Sequence, residues 1–374
     1  MSRVTLRSIG RVALLGCLLS GLPTCAASQD AVWGGELVAR IDSLAEATLR
    51  DGPVAGLTIG VKRGGDLLLV KGYGDADIEN SVPMTAGTVY RIGSLTKQFT
   101  AAAVMQLVEV GLMSLDDPMT QYLPDYPTQG HEVSIRHLLT HTSGIKSYTS
   151  LGDVFWLKAG LLDLSHTEML ELFHDEPFDF APGEEYRYNN SGYYLLGMII
   201  EEVSGESYDD YLDAHLFGPL GLSRSSYCHE SQIIRGRADG YEQGDGRLLN
   251  DRSISMNTPG AAGALCSTVP DLLSWTVALR SGRVVSPASY EAMTTSGLLS
   301  DGSATGYGLA LGVAPLGGHS RVAHTGGING FSTVMAHYPE SDLDIVVLSN
   351  TSSGAPRQIE SQIARWALGL AFEN

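Results

Sequence analysis

Strand-like segments open and close this chain, and the residues between them are patterned mainly as helix. Val54 to Lys62 and Leu67 to Gly72 are rich in apolar residues around an Arg63-Gly64-Gly65-Asp66 turn. Tyr307 to Val313, Phe331 to Tyr338 and Asp344 to Asn350 have the same character near the other end. Strands must pair, so the two ends of the chain have to meet. Between them, Ser94 to Glu109, Ser134 to Leu139, Thr167 to Phe173, Tyr193 to Val203, Tyr208 to Leu216 and Val269 to Leu279 read as helices. Glu36 to Leu49 and Gln358 to Leu370 read as helices outside the strands. The expected class is therefore α/β of the α+β type. One antiparallel sheet is built from both chain ends and flanked by helices, with a mostly helical region inserted. A single domain is expected over residues 29–374. Its sheet part covers about 29–90 and 290–374, and its helical part about 91–289.

Residues 1–28 read as an export signal. Arg3, Arg7 and Arg11 accompany a short apolar run, Val12 to Leu22, and small residues follow at Ala26, Ala27 and Ser28. The mature protein is then periplasmic or secreted. A second reading of the leader lipidates Cys17 in Leu14-Leu15-Gly16-Cys17. No segment reaches the ~18 apolar residues that span a bilayer. The formal net charge is −18, and losing the leader deepens it, since that removes three arginines and no acid. Bulk charge of this sign gives no attraction to nucleic acid or to an anionic membrane. Two of the four cysteines fall in the leader. Cys228 and Cys266 remain, and an isolated pair in an exported protein is expected to be oxidised. No cysteine or histidine cluster has metal-ligand spacing, so neither a metal nor another cofactor is expected.

Chemistry concentrates at three places. In Gly93-Ser94-Leu95-Thr96-Lys97, a serine three residues before a lysine at a helix start puts hydroxyl and amine on one face. That is a nucleophile with its own base, provided the Lys97 amine is neutral, which burial or a nearby cation achieves. The Ser94 N–H, at the helix start, suits a developing oxyanion. In Tyr188-Asn189-Asn190, the phenol can shuttle a proton between nucleophile and leaving group, and Asn190 can hydrogen-bond both the lysine and a substrate amide. The structural alternative there is aromatic packing with Asn190 as a helix cap. In His324-Thr325-Gly326-Gly327, an edge strand would set Thr325 and backbone groups along a cleft, with the Gly327 N–H as second oxyanion donor. His324 is expected as a partial cation that holds a substrate carboxylate or tunes Tyr188.

With all three in this order, the chain resembles the serine β-lactamase and penicillin-binding protein superfamily. It is most similar to the branch holding class C β-lactamases, D-Ala-D-Ala carboxypeptidases, D-aminopeptidases and related esterases. Leu115-Asp116-Asp117-Pro118 with Tyr122-Leu123-Pro124, Arg136-His137-Leu138-Leu139-Thr140-His141-Thr142-Ser143-Gly144-Ile145, Pro182-Gly183 and Ser267-Thr268-Val269-Pro270-Asp271-Leu272 carry the resemblance further. It runs from about Val54 to Asn350. It implies the β-lactamase/transpeptidase-like fold, with Ser94 acylated and Lys97 and Tyr188 moving its proton and that of the leaving group. Asn190, His324, Thr325 and Gly326 would bind substrate, and Ser94 and Gly327 would form the oxyanion hole. His137 and His141 would be structural. Class C β-lactamases carry lysine where this chain has His324, a departure that points away from efficient β-lactam hydrolysis. No deacylating acid stands out.

The leading expectation is an exported serine hydrolase that cleaves amide or peptide bonds through an acyl-enzyme, with a small D-amino-acid-containing peptide as substrate, as in cell-wall stems. A carboxylesterase, a weak class C-like β-lactamase acting on β-lactams, and a non-catalytic binder are the alternatives. The sequence leaves the oligomeric state open.

Overall fold

The computed structural model describes residues 26–153, 155, 158 and 162–370. The expected leader, up to and including residue 25, lies outside the described residues. A six-stranded antiparallel sheet is assembled from both ends of the chain. Its strands are β1 (Gly56–Arg63), β2 (Asp66–Asp77), β3 (Val82–Pro83), β9 (Val322–Ile328), β10 (Phe331–Tyr338) and β11 (Leu343–Ser349), in the order β3-β2-β1-β11-β10-β9. The two ends join where β1 pairs with β11, with Ile59 opposite Val347. The smaller strands β4 (Tyr90–Arg91), β5 (Ser226–Tyr227) and β8 (Leu265–Ser267) form a second sheet, and β6 (Tyr241–Gly244) pairs with β7 (Arg247–Asn250).

Helices α1 (Ala26–Asp51) and α6 (Ala355–Leu368) cover one face of the large sheet. Leu37, Ile41, Ile359 and Ile363 cluster there with Ile59, Val61, Ile345 and Val347. The other face receives α5 (Val269–Arg280), and no side chain fits at Gly60, where a Cβ would overlap Val269. Because β11 is covered on both sides, Ile345, Val346, Val347 and Leu348 are all fully buried. That burial explains why the strand reads as one continuous apolar run instead of an alternation. Each such side chain contributes about 1.5–3 kcal/mol.

The inserted region is organised around α2 (Thr96–Glu109), which is buried along most of its length, with α4 (Asn190–Ser204) on one side and Trp275 of α5 on another. A helix apolar nearly all round belongs inside a protein. Phe99 stacks on Trp275 at 4.0 Å and meets Phe217 edge-on at 5.6 Å. The short helix α3 (Ile135–Leu139) packs on α4.

Three local expectations are corrected. The run from Tyr307 to Val313 is a folded-back turn, with isolated bridges from Tyr307 to Gly312 and from Gly312 to Ala323. A Cβ at Gly308 would overlap Met293 O, and Ala310 has φ 64°, so the chain cannot extend there. The expected Tyr208–Leu216 helix is α only to Leu212, and a π-turn follows from Asp213 to Phe217. Ser94 lies in a 3-10 turn, Gly93–Leu95, and α2 proper begins at Thr96. Among the described residues, no helix is long and apolar enough to cross a membrane.

Cys228 and Cys266 form a disulfide that ties the residue after β5 to β8 across 38 residues. Closing a loop of that length removes unfolded-state entropy worth about 3–4 kcal/mol. Replacing both cysteines by alanine is expected to lower the unfolding free energy by about 2–4 kcal/mol in a denaturant titration. Alkylation before reduction, read by intact mass, should modify neither residue.

Candidate active site

The turn that carries Ser94 is gripped from several sides. Ile92 N–H donates to Leu265 O at 2.9 Å, and Leu265 N–H donates to Thr96 Oγ1 at 3.2 Å. The Thr333 hydroxyl donates to Ile92 O at 3.0 Å. Gly93 has φ 53°, and a Cβ there would come within 2.9 Å of Gly327 N and O. A Cβ on Gly326 would overlap Ile92 O. These two glycines therefore let the turn and the edge strand β9 touch backbone to backbone, which sets Ser94 beside Gly327.

Lys97, one turn along, is fully buried. Its Nζ lies 2.7 Å from Ala262 O, 2.8 Å from Asn190 Oδ1 and 3.1 Å from Ser94 Oγ, and no carboxylate is among these neighbours. Burial holds the amine well below the usual lysine range. A neutral amine has two protons and one lone pair. The two carbonyl oxygens only accept, so they take both protons, and the lone pair is left for the Ser94 hydroxyl. This is the arrangement of a nucleophile with its base already aligned. Tyr188 covers the pair, its ring centre 4.8 Å from Nζ. Burial raises its phenol above the ordinary value, and a hydrogen bond with Ser94 acts in the opposite direction.

Asn189, not Asn190, caps α4. Its Oδ1 accepts from Gly192 N at 3.0 Å, and its amide donates to Ile145 O. With the cap supplied one residue earlier, Asn190 is left to hold Lys97, while its Nδ2 donates to Thr149 Oγ1 at 3.3 Å. The loop from about Lys146 to Gly160, on which substrate preference is expected to depend, also braces the site, through contacts that the sequence does not assign to particular residues. Ser147 Oγ accepts from Asn190 N at 3.2 Å, and Tyr148 N–H donates to Ser191 Oγ at 2.9 Å.

The structure corrects the charge expected at His324. The ring is buried, with Nδ1 2.6 Å from Thr325 O and Nε2 2.9 Å from Tyr307 Oη. Burial brings its pKa down to about 3, so it is neutral near pH 7. Both nitrogens are engaged, and neither is offered to a substrate carboxylate. His137 is structural: with Ser134 it forms a capping box on α3. His141 is buried beside the cleft, both ring nitrogens engaged by Asn189 N and Tyr307 Oη, its ring centre 4.3 Å from that of Tyr188.

Ser94 and Gly327 lie between two lobes of one cleft. A smaller lobe of about 80 Å3 is lined by Tyr148, Phe155, Asn190, Ile254 and Pro259. A larger one of about 430 Å3 is lined by Tyr186, Tyr188, His324, Thr325, Arg321 and Arg357. Arg321 is paired with Glu360 at 2.8 Å. Arg357 is exposed and forms no ion pair with any described residue, so its charge is open to a ligand in this lobe. A different cavity, of about 310 Å3 and lined by His166, Tyr194, Glu201, Asp209 and His229, lies outside this cleft. As for metals, His337, Asp342 and Asp344 gather within 4.8 Å of one another. Arg280 pairs with both carboxylates, at 2.8 Å from Asp342 and 3.1 Å from Asp344, which makes the group part of an ion-pair network.

Residues 41–369 match the Beta-lactamase family model. Protein flp of Staphylococcus aureus is 30% identical over 335 residues, covering 86% of this chain and 65% of that protein. The chain thus spans about two thirds of that relative's length. Among solved structures, the octameric penicillin-binding protein homologue from Pyrococcus abyssi superposes with a TM-score of 0.78 at 33% identity, covering 89% of this chain and 78% of that one. The D-amino acid amidase from Ochrobactrum anthropi SV3 has a TM-score of 0.77 at 25% identity, covering 89% and 98%.

The neutral state of His324 has a consequence for stability. Its ordinary value is 6.5 and its folded value about 3. Between those values the unfolded chain takes up a proton that the folded chain refuses, so protonation favours unfolding. The contribution is complete above pH 6.5 and drains away as the pH falls toward 3. Urea midpoints for the wild type are expected to drop more steeply from pH 6.5 to 4 than those of His324→Gln.

Proposed function

As the chain belongs to the beta-lactamase family of serine hydrolases, we propose that it cleaves amide bonds through an acyl-enzyme on Ser94, in small peptides or amides that carry a D-amino acid. The observation that carries this reading is the buried amine of Lys97, without a carboxylate and 3.1 Å from Ser94 Oγ. Ser94 Oγ attacks the carbonyl carbon and gives its proton to Lys97 Nζ. The N–H groups of Ser94 and Gly327 take the oxyanion. The proton passes by way of Tyr188 to the leaving amine, which departs as the carbonyl re-forms. Water then enters, loses its proton along the same route, and releases the acid. An amide needs this proton delivery more than an ester does, and a phenol held above its ordinary value remains a proton donor near pH 7. The similarity to a D-amino acid amidase supports the substrate class. The basic leader and the cysteine pair support an exported protein, periplasmic or secreted. In this reading Arg357, not His324, is the cation that meets a substrate carboxylate in the larger lobe.

Ser94→Ala is expected to lower kcat/KM on a D-amino-acid amide at least about 10^3-fold. Retained activity would overturn the reading. Tyr188→Phe should hurt a matched amide far more than the corresponding ester, and equal losses would move the assignment to a carboxylesterase. Intact mass after incubation with benzylpenicillin should show an acyl adduct on Ser94 that persists. Loss of the drug without an adduct would favour a β-lactamase instead. Arg357→Ala is expected to raise KM about tenfold or more for a peptide with a free carboxylate, and to leave the corresponding amide unchanged.

A further inference from the structure

We propose that Tyr307 is a positioning residue, which locks the oxyanion strand β9 to the start of α4 through a one-directional hydrogen-bond chain running from Asn189 to Thr325. The chain has four links: Asn189 N to His141 Nδ1 at 3.1 Å, His141 Nε2 to Tyr307 Oη at 3.2 Å, Tyr307 Oη to His324 Nε2 at 2.9 Å, and His324 Nδ1 to Thr325 O at 2.6 Å. Its direction follows from its two ends. A backbone N–H only donates, so His141 Nδ1 is bare and Nε2 carries the proton. A backbone carbonyl only accepts, so His324 Nδ1 carries the proton and, in a neutral ring, Nε2 is bare. Tyr307 then accepts from His141 and donates to His324, and every group in the chain is satisfied with both imidazoles neutral.

The alternative polarity is costly. The other acceptor near Tyr307 is the Tyr193 hydroxyl, whose own proton goes to Leu139 O at 2.7 Å. If Tyr307 donated there, His324 would have to present N–H groups at both nitrogens, as a cation buried beside Lys97. Burial is the main force against that charge, and no carboxylate stands among the described groups around the ring to offset it. Lys97 comes from α2, His141 from the segment after α3, Tyr186 and Tyr188 from the segment before α4, and Arg321 and Arg357 line the same lobe. The backbone supports the reading as well: His141 is held at φ 59°, a conformation that non-glycine residues adopt only when their surroundings enforce it.

The positions at the two ends give the chain its purpose. Asn189 precedes Asn190, which holds Lys97, and Thr325 precedes the Gly326-Gly327 pair that abuts Ser94. Tyr307 thus sets the strand side of the cleft against the base side without touching the reacting atoms. An oxyanion donor acts mainly in the transition state, so its misplacement lowers kcat more than it raises KM.

This inference rests on the acyl-enzyme reading, but its first test does not. Nitrogen-15 NMR of the imidazole rings in the wild-type protein should show His324 as the neutral Nδ1–H tautomer, and His141 as the neutral Nε2–H tautomer, from pH 8 down to pH 5. The opposite tautomers, or a cationic His324 at pH 6, overturn the chain even if Ser94→Ala is inactive. In Tyr307→Phe, which keeps the ring, His324 should titrate closer to its ordinary 6.5. The acid limb of kcat/KM should move up in pH with it. Its kcat on the amide should fall about 10–100-fold with KM nearly unchanged, less than the loss of an oxyanion donor itself. An unchanged acid limb and an unchanged imidazole spectrum in this variant would sink the proposal. If instead Ser94→Ala stays active while both spectra come out as expected, the hydrolase reading fails and the hydrogen-bond chain stands.

Discussion

The structure depends on an amine buried without a counter-ion. Lys97 has no carboxylate partner, only two carbonyl oxygens and the Ser94 hydroxyl, and burial without a counter-ion disfavours an ammonium there. The environment therefore keeps the amine neutral, and a neutral amine close to a serine hydroxyl is a base. What ordinarily counts as a defect in a protein core is here the chemical resource. Much of the surrounding architecture serves to maintain it. Helix α2 is buried nearly all round, Ala262 O is set in place beside the disulfide-linked strand β8, and α4 is capped one residue ahead of Asn190 so that Asn190 can face the amine.

A second constraint concerns how the two parts of the chain meet. The sheet comes from both chain ends and the nucleophile from the inserted region, so the cleft exists only where they touch. That contact is backbone against backbone, at Gly93 with Gly327 and at Gly326 with Ile92. Side chains at these positions would force the two parts to separate and would leave Ser94 without its neighbouring strand. The edge position of β9 matters for the same reason. A strand paired on both sides could not present Thr325 and Gly327 to a ligand.

The elements that repeat a clear period were legible in the sequence. The strands β1, β2, β10 and β11 and the helices α2, α4, α5 and α6 fall close to their expected places, because burial imposes a period of 2 or 3.6, or a continuous apolar run, on long segments. The run from Tyr307 to Val313 misled for a local reason. Its apolar residues suggested a strand, but Gly308 packs against Met293 and Ala310 turns the chain back. That turn delivers Tyr307 to the cleft. The charge at His324 was misjudged for a different reason, since an imidazole's ionisation depends on what surrounds it and not on its neighbours in sequence.

By itself, the sequence determined which chemistry was on offer. It contained a serine and a lysine one helical turn apart, a tyrosine and an asparagine further along, and glycines where two segments had to approach. Spacing of three residues across the 3-10 turn into α2 is enough to bring Ser94 and Lys97 together, because helical winding is a local property. The tertiary structure alone decided whether those groups could act. The neutrality of Lys97, the neutrality of His324, the division of labour between Asn189 and Asn190, and the arrival of His141, Tyr307 and Arg357 at the cleft all arise from desolvation and from contacts between residues distant in the chain. Ionisation and hydrogen-bond direction are set by the groups that enclose an atom, and that enclosure comes into being only when the chain folds.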